Sequence, residues 1–141
     1  MNKPEVYQLF VYGSLRSGFR SPAYEYISRY FDLVGNAKVK GYLYDLGTYP
    51  AAKPATDNKF IIGELYRIRH ESEFAWAMGQ LDDYEGVAVA YDETQLYRRE
   101  IAEVHIDNKI THAWMYWYNG SVNDKPVIES GDVLQYMEQK K

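Results

Sequence analysis

Two features of this chain could do chemistry together. Glu85 follows Leu81 by four residues, so it continues the apolar stripe Phe74, Ala77, Met78 and Leu81 of an expected helix. Beside core side chains and near the negative end of a helix dipole, the charged form of such a carboxylate is disfavoured. Its pKa is then expected to rise, which suits a group that acts as base and then as acid near neutral pH. An exposed, frayed helix-end acid would show the same spacing, and on pattern alone that plainer reading is the stronger. The second feature is Leu9-Phe10-Val11-Tyr12-Gly13-Ser14-Leu15, an apolar strand that runs into a small-residue turn. Free N–H groups in a tight turn can cradle a phosphate or a carboxylate. A turn that merely needs glycine for its backbone angles looks no different.

Comparison with other chemical signatures narrows the choices. Gly13-Ser14-Leu15-Arg16-Ser17-Gly18 has the glycine spacing of a P-loop, but Phe19-Arg20 stands where Lys-Ser/Thr belongs. The Gly-x-Ser-x-Gly arrangement of a nucleophile elbow is absent as well. His105 and His112 flank an expected hairpin and could face each other across it, yet no third ligand is evident, so no metal site is expected. Trp114, Tyr116 and Tyr118 share one strand face with His112. No Lys or Arg alternates with them, so they read as core or pocket wall rather than a base-stacking platform. Tyr97-Arg98-Arg99-Glu100 reads most simply as the solvated start of a strand.

The elements that must hold these groups follow from periodicity. Residues 7–12 read as a first strand. Ser21-Pro22 is a capped helix opening, and Ala23, Tyr24, Ile27, Tyr30 and Phe31 recur at helical spacing. Residues 37–46 look extended until Gly47-Thr48-Tyr49-Pro50 ends them, and 54–58 look like a loop. Residues 60–68 predict a strand, and a second helix runs from about Ser72 to a stop at Gly86. Strands over 96–106 and 110–118 are joined by Asp107-Asn108-Lys109, a hairpin signal. A Ser130-Gly131-Asp132 turn precedes a short helical stretch. Strands outnumber helices, which predicts an α+β fold: a small mixed sheet closed toward a barrel with two helices outside.

Composition sets the outer limits. A chain of 141 residues, 46% hydrophobic and 26% charged, is expected to form one globular domain over 1–141. A net charge of −4 argues against nucleic acid or an anionic membrane as partner. Without cysteine there is no disulfide, thiolate zinc site or cysteine nucleophile. No apolar run reaches membrane-spanning length, and Met1-Asn2-Lys3-Pro4-Glu5 lacks a signal-peptide core, so a cytoplasmic location is expected. The 15 tyrosines suggest amphipathic walls around a barrel or pocket.

Taken in order, these stretches resemble the γ-glutamylcyclotransferase-like superfamily, its small bacterial members in particular. The likeness is carried by Val11-Tyr12-Gly13-Ser14-Leu15, Gly47-Thr48-Tyr49-Pro50 and Ile62-Gly63-Glu64-Leu65-Tyr66. It continues through Leu81-Asp82-Asp83-Tyr84-Glu85-Gly86, Tyr97-Arg98-Arg99, Ala113-Trp114-Met115-Tyr116 and Ile128-Glu129-Ser130-Gly131-Asp132. The resemblance implies a compact, mixed, largely antiparallel β-barrel with flanking helices. It implies that Glu85 is the single acid/base, reversing the reading from pattern alone. Backbone amides of Gly13, Ser14 and Leu15 would hold the substrate's α-carboxylate, with Tyr12 and Tyr97 as further pocket residues.

The implied reaction needs no metal, cofactor or covalent intermediate. The α-amine of a γ-glutamyl amide attacks its own γ-carbonyl, closing a lactam and expelling an amine or amino compound beside 5-oxoproline. Two details bear on the leaving half. The γ-glutamyl-amino-acid branch typically inserts an Asn before Leu15, and this chain, like the γ-glutamylamine branch, does not. Yet residues 86–96 are longer than that branch usually has and are similar to the other. The other functions weighed are a non-catalytic module that binds a small amino-carboxylate, and hydrolysis or transfer of γ-glutamyl amides in the same pocket.

Overall fold

Runs rich in β-branched and aromatic residues, bounded by Gly, Pro and Asn, form six strands in the computed structural model. It describes residues 6–12, 22–46, 50–85, 97–132 and 136; for 22–24, 26 and 82–85 it describes the backbone alone. Strand β1 (Gln8–Val11) is followed by helix α1 (Pro22–Tyr30), β2 (Phe31–Asp45), β3 (Pro50–Pro54) and β4 (Phe60–Ile68). Helix α2 (Phe74–Glu85) and the β5–β6 hairpin (Tyr97–Ile106, Lys109–Tyr118) complete the order.

The strands stand in the order β3-β2-β4-β1-β6-β5. Pairing of β2 with β5 through Lys38 and His105 closes five of them into a barrel and leaves β3 as an extra strand. All pairings are antiparallel except β1 with β6, which run parallel at Leu9 and Trp114. The expected mixed, largely antiparallel barrel with flanking helices is the fold observed.

Alternation along each strand separates two cores. Phe10, Tyr12, Val39, Leu43, Ile61, Leu65, Met115 and Trp117 fill the barrel. Leu9, Val11, Tyr66, Ile68, Tyr97 and Tyr116 face outward and pack with Ile27 of α1 and with Ala77, Met78 and Leu81 of α2. The stripe expected for the second helix is therefore the one it buries. Phe74, at its start, lies edge-on to Tyr7 with ring centroids 5.3 Å apart. Trp114, Tyr116 and Tyr118 belong to this outer layer, not to the barrel interior.

Several boundaries differ from expectation for local reasons. The second helix opens as a 3-10 turn over Glu71–Glu73, so its α-helical part begins at Phe74. Strand β2 starts directly at Phe31, because α1 is stopped hard. The Arg69 guanidinium donates to the carbonyls of Ser28 (2.7 Å) and Arg29 (2.9 Å), and its backbone N–H to that of Tyr30 (2.9 Å). These acceptors lie in the last turn of α1, where a cation also meets the negative end of the dipole. A bulge at Val34 then shifts the β2 register between Leu33 and Gly35. Strand β3 falls where no strand was expected, since prolines stand at both its ends and it pairs with β2 alone.

The hairpin turn is tighter than expected. Asp107 (φ 51°) and Asn108 (φ 62°) form a two-residue turn, and Lys109 is already the first residue of β6. His105 lies opposite Ile110 and His112 opposite Glu103, so the two histidines do not face each other directly. Ser21 and Gly86, read as helix start and stop, lie outside the described residues. Gly131 (φ 69°) makes the expected turn, and the amide of Tyr136 donates to the carbonyl of Asp132 in a helical bond.

Candidate functional site

Strand direction decides where the predicted site residues go. Strand β1 runs parallel to β6 and antiparallel to β4, and β5 runs antiparallel to β6. The end of β1, the end of β6 and the start of β5 therefore share one end of the barrel. The end of β2 and the start of β3 join them there: Pro50 pairs with Asp45, and the Tyr97 hydroxyl donates to the Pro50 carbonyl at 2.8 Å. Tyr12, Asp45, Pro50, Tyr97 and Tyr118 therefore stand together at this end.

Tyr12 and Tyr97 both lie here, on opposite faces of the wall. The Tyr12 ring belongs to the barrel interior and stacks on Phe10 at 6.5 Å. Its hydroxyl donates to the Tyr116 carbonyl at 2.6 Å, which fixes the point where the chain leaves β1. Tyr97 is on the outer, helix-covered face, buried against Tyr116 and edge-on to Tyr118 at 5.5 Å. Gly13, Ser14 and Leu15 lie outside the described residues. Glu85 is the last residue of α2, one turn beyond Leu81, and its side chain is likewise outside the description.

One acidic residue was not singled out from the sequence. Glu64 is directly opposite Val11 in the β1–β4 pairing and is 5% exposed. The Tyr66 hydroxyl donates to its Oε1 at 3.0 Å. The signal was present in the Ile62-Gly63-Glu64-Leu65-Tyr66 motif. It was obscured because both faces of β4 are covered, so an acid on the outer face is buried as well.

A second missed feature is basic. Lys53 of β3 donates to the Tyr118 carbonyl at 2.8 Å and lies 5.5 Å from the centroid of the Tyr118 ring. Arg98 reaches the same carbonyl oxygen at 3.5 Å. Burial, and then the nearby Arg98 charge, hold the Lys53 ammonium below its ordinary pKa.

A groove of about 590 Å³, lined in part by Lys38, Ile62, His105 and Ile110, opens at the hairpin turn, the opposite end of the barrel from Tyr12 and Tyr97. It is not part of the site read from the sequence. Among the described residues no group of three or more His, Asp or Glu is arranged to hold a metal ion. No described helix is long and apolar enough to cross a membrane.

Residues 9–135 match the model of the family described as gamma-glutamyl cyclotransferase, AIG2-like. The gamma-glutamylcyclotransferase family protein YtfP of Escherichia coli K12 is 32% identical over 128 residues, covering 90% of this chain and 96% of that protein. The solution structure of Escherichia coli ytfP superposes with a TM-score of 0.61 at 30% identity, covering 92% of this chain and 98% of the other. An AIG2-like protein from Mus musculus shares the fold at 20% identity and a TM-score of 0.65, covering 90% and 88%.

Proposed function

The chain belongs to the γ-glutamylcyclotransferase family of the AIG2-like type, and on that premise we propose that it cyclises a γ-glutamyl amide to 5-oxoproline with release of an amine or amino compound. The observation that supports this reading most is the gathering of Tyr12, Tyr97 and Pro50 at the barrel end from which 13–15 departs.

The amides of Gly13, Ser14 and Leu15 grip the α-carboxylate of the substrate and fold its chain so that the α-nitrogen approaches the γ-carbonyl carbon. The attack is intramolecular, so holding the reactive conformer supplies much of the acceleration. Glu85 takes a proton from the α-ammonium, and the freed lone pair forms the new C–N bond of the lactam. The γ-carbonyl becomes tetrahedral and then collapses, breaking the bond to the leaving nitrogen. Glu85 returns that proton to the leaving nitrogen. The second proton, shed by the ring nitrogen as the lactam forms, is taken up by the released amine, so the carboxylate is regenerated and the atoms balance. No cofactor is called for. The small-molecule γ-glutamyl substrate is the only partner this chemistry needs.

Product analysis by mass spectrometry tests the reading. The wild-type chain is expected to release 5-oxoproline from γ-glutamyl amides. Glu85→Gln is expected to keep the fold and lose about 10²–10⁴-fold in rate, the usual weight of one acid/base group. Undiminished activity in that variant overturns the mechanism. Free glutamate in place of 5-oxoproline would show hydrolysis instead, and ligand-induced thermal stabilisation without turnover would show a binding module.

A further inference from the structure

Two cations converge on one neutral oxygen at the substrate end of the barrel. Lys53 Nζ donates to the Tyr118 carbonyl at 2.8 Å, and Arg98 Nη1 comes to 3.5 Å of the same atom. The same Nη1 also donates to Asn119 Oδ1 (3.2 Å), and Nε donates to Glu100 (3.1 Å). Lys53 has no carboxylate within ion-pair reach among the described residues. The cluster thus carries two positive charges against one negative, in a chain whose net charge is −4. Like charges brought together beside partly buried groups oppose folding, so the arrangement is not explained by stability.

Its position gives it a use. The Tyr118 ring that lies 5.5 Å from Lys53 Nζ also meets the Tyr97 ring at 5.5 Å. Tyr97 is bonded in turn to Pro50, three residues before Lys53 on the same strand and about 10 Å away along it. We infer that Lys53 and Arg98 form an anion subsite that takes a carboxylate on the leaving half of the substrate. What the leaving half is rests on the cyclotransferase reading above. One excess positive charge matches the single charge of a carboxylate, whose two oxygens can meet an ammonium and a guanidinium edge together. A γ-glutamyl amino acid would then be preferred over a γ-glutamylamine.

The test uses γ-glutamyl-alanine and γ-glutamylethylamine, which differ only in that carboxylate. Calorimetric binding is measured on the full chain carrying Glu85→Gln, so that turnover does not intervene. The alanine compound is expected to bind about tenfold more tightly, the scale of one charge-assisted hydrogen bond. Adding Lys53→Met is expected to bring the ratio near one, and Lys53→Arg to preserve it. Arg98→Gln reads the same ratio from the other cation, should Lys53→Met not fold. Equal binding of the two compounds, no binding of either, or a ratio indifferent to both cations overturns the subsite. Product release by the wild type separates the two ideas. A retained binding preference without 5-oxoproline removes the reaction and leaves the subsite. Equal release of 5-oxoproline from both compounds removes the subsite and leaves the reaction.

Discussion

At the scale of single residues, Gly63 sets the distance between β1 and β4. A Cβ built there would stand 2.2 Å from the Val11 carbonyl oxygen and 2.7 Å from Phe10 Cζ, so neither backbone nor ring could stay in place. Gly63→Ala is expected to destabilise the fold by about 1–3 kcal/mol, the range for forcing extra volume into a packed core. A denaturant titration with a lowered midpoint and an unchanged slope would show it; an unshifted midpoint would mean that β1 yields freely. Tyr12 follows Val11, so the same strain would reach the point where the chain leaves for 13–15. A milder change, Tyr12→Phe, removes the hydroxyl that holds the Tyr116 carbonyl and is expected to cost about 1 kcal/mol. Composition could not rank these residues. Gly63 reads as one glycine in a strand, and Glu64 as one acid in a motif, until the pairing sets both against the last turn-ward residues of β1.

Elements were legible where turn chemistry or periodicity was unambiguous, and hidden where one element abuts another. The β5–β6 hairpin could be read because Asp and Asn are among the few residues that accept positive φ. The second helix could be read from Phe74, Ala77, Met78 and Leu81. Strand β3 could not, because its two prolines carry the signature of a loop; nor could the first third of β2, where helix meets strand without a linker and the Val34 bulge breaks the alternation. The hairpin permits a direct check. Asn108→Val places a β-branched side chain at φ 62° and is expected to lower stability by about 1–2 kcal/mol, whereas Asn108→Gly keeps the turn. Thermal melts of the two variants should diverge. If they coincide, the turn does not hold the register of β5 on β6.

For the molecule as a whole, closure of the barrel collects in one place what the sequence spreads over more than a hundred residues. The two motif tyrosines, 12 and 97, could be named from the sequence, but nothing in their spacing told that one faces the barrel interior and the other the helices. Lys53 was invisible for a related reason, since its significance lies in Arg98 and Tyr118, far along the chain and brought to it by β3. This convergence makes a prediction about global stability. Burial, then Arg98, disfavours charged Lys53 in the folded state but not in the unfolded chain. At neutral pH both states carry the proton, so the folded state bears the full penalty. As pH rises past the depressed folded pKa toward the ordinary lysine value, the folded state gives up its proton first. The unfolded chain then binds more protons, and stability contributed by this group increases with pH. Lys53→Met should therefore melt at or above the wild-type temperature at neutral pH, with an advantage that shrinks through the alkaline range. Saturating γ-glutamyl-alanine should reverse the order in the Glu85→Gln background, because a bound carboxylate neutralises the charge that the empty fold leaves uncompensated. A neutral-pH loss of stability in Lys53→Met, unchanged by pH, would instead make Lys53 a plain tether between β3 and β6.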